Sequence, residues 1–163
     1  MRDNTDVLYD PAQKSVAEGR ELALKCFEVI VRDIHTTVVA TVDDEGLPVT
    51  CVIDMMDYDE DGLFFLTNVG KPFYERLSKR GYLSLSATDG RPTMECTAVT
   101  VEGHVREMGA DKLAELLEKN PYMYELYPTE ESRAVMRAFQ IHDGSGNLYE
   151  MACKPPKQTF FEF

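Results

Sequence analysis

The chain contains no tryptophan, only three histidines and four cysteines in 163 residues, and its 17 basic side chains are outnumbered by 29 acidic ones. Each shortage excludes something. Cys26, Cys51, Cys96 and Cys153 form no Cys-x-x-Cys pair, so neither a zinc knuckle nor a redox dithiol is expected, and buried reduced thiols are. His35, His104 and His142 match no ligand spacing with Cys51 or Cys96, and no metal site is expected from them. A formal net charge of -12 repels nucleic acid and anionic membranes, which excludes both as partners. Any anionic ligand has to be held by a local group of cations. No apolar run approaches the ~20 residues that span a bilayer, and the opening MRDNTD is too polar for a secretory signal. A soluble, cytoplasmic protein is expected, with one domain over residues 1–163 large enough to bury a core.

Along the chain the apolar period changes from helix to strand. Residues 1–14 show no periodicity and are expected to form a loosely ordered arm. Residues 15–34 carry Leu22, Ala23, Cys26, Phe27, Ile30 and Ile34 on one helical face, with Gly19 weakening the first turns. Alternation over 36–43, a DEG turn and a strand over 47–58 predict a hairpin; Asp54 and Asp57 are expected to face outward. A DEDG turn leads to an apolar strand at 63–67. Residues 82–88 set Leu83, Leu85 and Ala87 opposite Ser84, Ser86 and Thr88, and a long strand is expected over 93–107 with a bulge or bend at Gly103. A helix over 110–119 ends at Pro121. Tyr122, Tyr124 and Tyr127 follow, as a clamp between helices or a lid, and Thr129 starts another short helix. Two strands, 138–142 and 148–153, are expected to be joined by a DGSGN turn, with a final edge strand at 159–163. Strands linked mainly by tight turns indicate a mainly β (α+β) antiparallel barrel of six to seven strands with flanking helices. Met55, Met56 and the aromatic tail then become candidates for a subunit interface.

The most informative segment is 63–77, LFFLTNVGKPFYERL. Thr67 ends a strand, Asn68 can cap, Gly70 lets backbone approach an anion, and Pro72 suits the first turn of a helix. Lys71, Arg76, Lys79 and Arg80 concentrate positive charge there in an otherwise acidic chain. Two readings are open for this segment: an ordinary capped helix with a solvated basic face, or a phosphate site. Tyr74 either packs over a bound ligand or fills the core.

Together with TVVATVDDEGLP at 37–48, YLSLSA at 82–87 and VEGHV at 101–105, this segment resembles the flavin-binding split-barrel superfamily that includes pyridoxamine 5′-phosphate oxidase. The likeness covers roughly residues 34–120. It implies a Greek-key split barrel and a homodimer with FMN at the subunit interface. It further implies that Thr67 and Lys71 hold the FMN phosphate and that Thr50, Cys51, Val52 and Ile53 line the isoalloxazine, with Leu66 and Asn68 also at the cofactor and Tyr74 near the ribityl chain. The oxidase carries an arginine at the start of its ring-lining strand and an Arg-x-His pair near its C-terminus; this chain has VTCVI at 49–53 and KPPKQTF at 154–160. The resemblance therefore implies an FMN-dependent oxidoreductase acting on a small organic molecule other than pyridoxamine phosphate. Its alternative is a non-catalytic protein that binds or stores flavin, deazaflavin or haem.

Overall fold

The computed structural model describes residues 16–163, with side chains from Gly19 onward; the expected arm at 1–14 lies outside the described residues. Helix α1 (Val16–Glu28) buries Ala23, Cys26 and Phe27, the stripe its sequence spacing sets. The expected helix over 15–34 is corrected at its end, where Val29–Ile34 is π-helical. The His35 amide reaches back five residues to the Ile30 carbonyl at 2.6 Å, which widens the last turn.

Seven strands follow: β1 (Thr36–Val42), β2 (Pro48–Asp59), β3 (Gly62–Asn68), β4 (Tyr82–Thr88), β5 (Thr97–Glu107), β6 (Met136–Glu150) and β7 (Lys157–Glu162). The order β3-β2-β1-β4-β5-β6-β7, with β3 also paired to β6, closes six antiparallel strands into a barrel and leaves β7 as an extension along β6. Strands β1 to β3 form a meander. Helix α2 (Pro72–Arg80) then carries the chain across to the other side of β1, which gives the Greek-key connection. Helices α3 (Ala110–Lys119), α4 (Tyr122–Leu126) and α5 (Glu130–Ala134) are inserted between β5 and β6. A capping box between Thr129 and Ser132 starts α5, as sequence predicts.

Two apolar clusters result. The barrel interior holds Val39, Phe65, Leu83, Leu85, Val101 and Ile141, closed at one end by Phe27 of α1, whose ring meets Phe163 edge-on at 4.7 Å. Outside the barrel, α3 and α4 lay Leu116, Leu117 and Met123 over Met56, Phe64, Leu66, Met136 and Ala138. Strand β3 is therefore buried on both faces, which is why it reads as a continuous apolar run.

Four expectations are corrected here. Strand β5 begins at Thr97 because residues 93–95 turn, with the Glu95 amide on the Pro92 carbonyl and the Asp89 carboxylate accepting from the Arg91 and Thr97 amides. The two strands expected at 138–142 and 148–153 are one strand, β6, running through the DGSGN segment. Its glycines serve close approach instead of a turn: a Cβ at Gly144 would lie 2.2 Å from the Glu102 carbonyl oxygen, and one at Gly146 2.3 Å from that of Thr100. The strand bends at Asp143 (φ 47°), near the bulge between Glu102 and His104 on β5. Met55, Met56 and Phe161 are buried within the chain's own clusters, which removes them as interface candidates. Asp57 does not face out into water; its side chain is 14% exposed and caught between Lys112 and Lys119.

Candidate functional site

The end of β3 and the start of α2 bring the expected anion-binding residues to one edge of the barrel. Thr67 is buried and Asn68 half-buried. Asn68 does not cap α2: the N-cap is Lys71, in extended geometry, with no side-chain cap bond and Pro72 at the helix start. The Asn68 carbonyl instead accepts from the Lys71 amide at 3.3 Å, closing the turn in which Gly70 takes φ 85°, a conformation that favours glycine. The first amides of α2 are thus left without a side-chain acceptor, beside an exposed lysine.

The basic residues of this segment divide into two groups. Lys79 pairs with Asp44 and Arg80 donates to the Asp43 carbonyl, so both brace the turn between β1 and β2. Arg76 is half-buried and donates from Nε to the Thr41 hydroxyl at 2.7 Å. Burial pushes the Cys51 thiol up, and the positive charges of Arg76 and Lys71 partly offset that push. Thr41, which Arg76 reaches, is the β1 residue that pairs with Val49 of β2. A cleft of about 860 Å³ opens between α2 and the β1–β2 turn, lined by Gly70, Pro72, Arg76, Lys79 and Arg80 and also by the acidic Asp43, Asp44, Glu45 and Glu75.

The residues expected along β2 alternate in direction. Cys51 and Ile53 pack against the barrel interior, whereas Thr50 and Val52 face outward. Thr50 lines a second depression of about 340 Å³ with Val38, Ser84, Ser86 and Thr100. Val52 is 65% and Val38 46% exposed, and they oppose each other across β1 and β2. Leu66 is covered by the helical insertion. Tyr74 packs edge-on against Phe139 and donates to Glu107 at 3.0 Å, so its ring belongs to the core. Glu107 also pairs with Arg137 at 3.4 Å, and Arg137 lies across from Thr67.

Sequence reasoning missed a polar cluster at the other end of β2. Tyr122 of α4 donates its hydroxyl to Asp54 Oδ2 at 3.2 Å, and His35 Nε2 lies 3.0 Å from the same hydroxyl. Thr36 donates to Asp54 Oδ1 at 2.8 Å. Burial and the Asp54 carboxylate push the Tyr122 phenol well up, keeping it protonated. His35 takes φ 65°, ψ -58°, close to a strained γ-turn geometry that costs a non-glycine residue on the order of 1–3 kcal/mol. No sequence signal marks this cluster, since Tyr122 is 87 residues from His35. Tyr127 packs in the outer cluster, and Tyr124 lies under the Arg133 guanidinium at 5.0 Å; the three tyrosines form no common lid. Among the described residues, no group of three or more His, Cys, Asp or Glu side chains converges on a metal position, and no helix is long and apolar enough to cross a membrane.

Comparison with solved structures agrees with this architecture. A NimC/NimA family protein from Clostridium acetobutylicum superposes with a TM-score of 0.68 at 15% identity, covering 86% of this chain and 93% of that one. PhzG from Burkholderia lata, solved with tetrahydrophenazine-1-carboxylic acid, gives 0.64 at 13% identity, covering 97% and 98%. HutZ, a haem storage protein from Vibrio cholerae, gives 0.57 at 16% identity, covering 87% and 93%. At these identities the likeness establishes the fold. No curated protein matches the sequence significantly. The family model described as pyridoxamine 5′-phosphate oxidase matches residues 25–142, from the end of α1 to the bend in β6, and the chain belongs to that family.

Proposed function

We propose that this chain binds FMN between two copies of itself and acts as an FMN-dependent oxidoreductase on a small organic substrate. The observation that carries the reading is the uncapped start of α2, where the exposed Lys71 is the N-cap, Pro72 opens the helix and Gly70 takes a positive φ. A dianionic phosphate needs fixed positive charge and donors, and Lys71 with the uncapped start of α2 supplies both. Asn68 adjoins that turn. Thr67 and Leu66 shape the strand leading into it. Thr50 and Val52 would meet the ring with side chains, and Cys51 and Ile53 with backbone only. Tyr74, committed to Glu107, supports the helix and not the ligand. Flavin supplies hydride chemistry; the protein selects which donor reaches it.

The outer face of β1 and β2 supports the dimer. Val38, Val42 and Val52 are exposed there, with Leu47 exposed on the adjoining turn, an apolar strip that a second copy would cover. The absence of the oxidase's substrate-phosphate arginine and Arg-x-His pair directs the activity away from pyridoxamine phosphate. Titration with FMN tests the phosphate assignment. Lys71→Ala should weaken binding on the order of ten- to a hundredfold, the value of one charge-assisted bond. Lys79→Ala, already paired to Asp44, should change it little. Equal effects would remove the phosphate from the start of α2.

A further inference from the structure

We propose that the depression on the outer face of the barrel, beside β7, is a binding site for a small, uncharged, polyhydroxylated molecule such as a monosaccharide. Strand register builds the site. Val38, Ser86, Thr100, Asn147 and Phe160 lie opposite one another in turn across β1, β4, β5, β6 and β7. The neighbouring row runs Thr50, Ala40, Ser84, Glu102 and Ser145 across β2, β1, β4, β5 and β6. Residues two apart on a strand share a face, so the rows form one surface, and both line the same space of about 340 Å³. That volume is at the small end of the ~300–1,000 Å³ typical of ligand sites. The site goes beyond the flavin reading: it shares Thr50 with the residues assigned to the ring and Val38 with the strip assigned to a second copy, and its hydroxyl-bearing walls lie on β4, β5 and β6.

The lining selects the ligand. None of its residues is basic, so a phosphate or carboxylate would meet Glu102 with no compensating charge. A cation gains little either, because one exposed carboxylate attracts it only weakly in water. Among the described residues the hydroxyls of Thr50, Ser84, Ser86 and Thr100 have no hydrogen-bond partner, and each both donates and accepts. Gln158 donates to Asn147 Oδ1 at 2.9 Å, which leaves the Asn147 amide hydrogens to donate outward. Glu102 accepts from Ser145 at 3.5 Å and keeps further acceptor positions. The hydroxyls of a sugar also donate and accept, so they match this mixed set, whereas an apolar ligand would leave it unpaired. Val38, Ala40 and Phe160 supply apolar surface for the C–H face of such a ring, whose polarised hydrogens suit the negative face of an aromatic side chain.

Titration of the purified protein with D-glucose, D-ribose and myo-inositol, read from the NMR shifts of its backbone amides, tests the assignment. At least one of the three should bind saturably with a millimolar or lower dissociation constant and shift the amides of residues 84–86, 100–102 and 145–147. Gluconate and ribose 5-phosphate should bind on the order of tenfold more weakly. Thr100→Val keeps the side-chain shape and removes the hydroxyl, and should weaken binding about two- to tenfold, the value of one hydrogen bond. Thr88→Val, on the same face of β4 but outside the depression, should leave it unchanged. No saturable binding, equal affinity for the anions, or a Thr100→Val protein that binds like the parent would overturn the proposal. The measurement needs no cofactor, so a protein that binds a sugar and no FMN refutes the flavin reading alone.

Discussion

Replacing Gly146 by alanine probes the least expected feature of the barrel, the unbroken strand β6. The added Cβ would stand 2.3 Å from the Thr100 carbonyl oxygen and 2.5 Å from the nearest Phe161 ring atom. An ordinary carbon contact is about 3.5 Å or more, so β5, β6 or the buried Phe161 ring must move by roughly 1 Å. Phe161 is 1% exposed and packed against Phe27, which leaves it no room to yield. Overpacking of this kind costs about 1–3 kcal/mol, and a contact against backbone belongs at the upper end. Gly19→Ala is the control: it lies in α1, has nothing within 4 Å of the added Cβ, and should stabilise by about 0.5–1 kcal/mol. Urea unfolding followed by circular dichroism reads both, with unchanged m-values if the substitutions act on the native state alone. A Gly146→Ala protein within about 0.5 kcal/mol of the parent, the range of an ordinary surface change, would refute the argument. It would mean that residues 143–147 form the open turn their composition suggests.

The remaining predictions concern the helical insertion. Leu116 is fully buried in the outer cluster, and Leu116→Ala should cost about 2–5 kcal/mol in the same unfolding assay; a cost under about 1 kcal/mol would mean that α3 is only loosely laid on β2 and β3. Burial alone would push the Asp57 carboxyl up, but hydrogen bonds from Lys119 and Lys112 outweigh it and hold the carboxyl below its usual range. Its contribution is therefore complete above the unfolded carboxylate value of about 3.9 and is lost as pH falls through the lower folded value. Melting temperatures recorded from pH 6 downward should fall less steeply for Asp57→Asn than for the parent below about pH 4, the reference carboxylate range. Parallel curves would show that Asp57 is not the linked group.

The barrel was legible because its strands are regular where burial is one-sided. The alternation of Leu83, Leu85 and Ala87 against Ser84, Ser86 and Thr88 appears directly as inward and outward faces, and Gly103 marks the bulge in β5. The reading failed where local composition and tertiary contact disagree. Gly144 and Gly146 look like turn residues, yet their small size serves strand packing against β5. Met55 and Met56 look surplus to a small core, but the ordinary alternation of β2 sends one into the barrel and the other under α3 and α4. At the candidate site, Lys71, Gly70 and Pro72 were visible as a contiguous motif. The division of the basic residues between a ligand edge and a brace was not, because Asp43 and Asp44, which hold Arg80 and Lys79, are remote in sequence. The His35, Asp54 and Tyr122 cluster joins three elements with no motif in any of them, and only the closed barrel with its insertion brings them together.

The most direct test of the central claim is the absorbance spectrum of the purified protein after incubation with FMN and removal of the free cofactor, followed by mass spectrometry of whatever acid releases. The account predicts a bound flavin spectrum and release of FMN at about one per subunit, as a preformed site implies. A colourless protein that retains no FMN, or one that carries haem in its place, would contradict it.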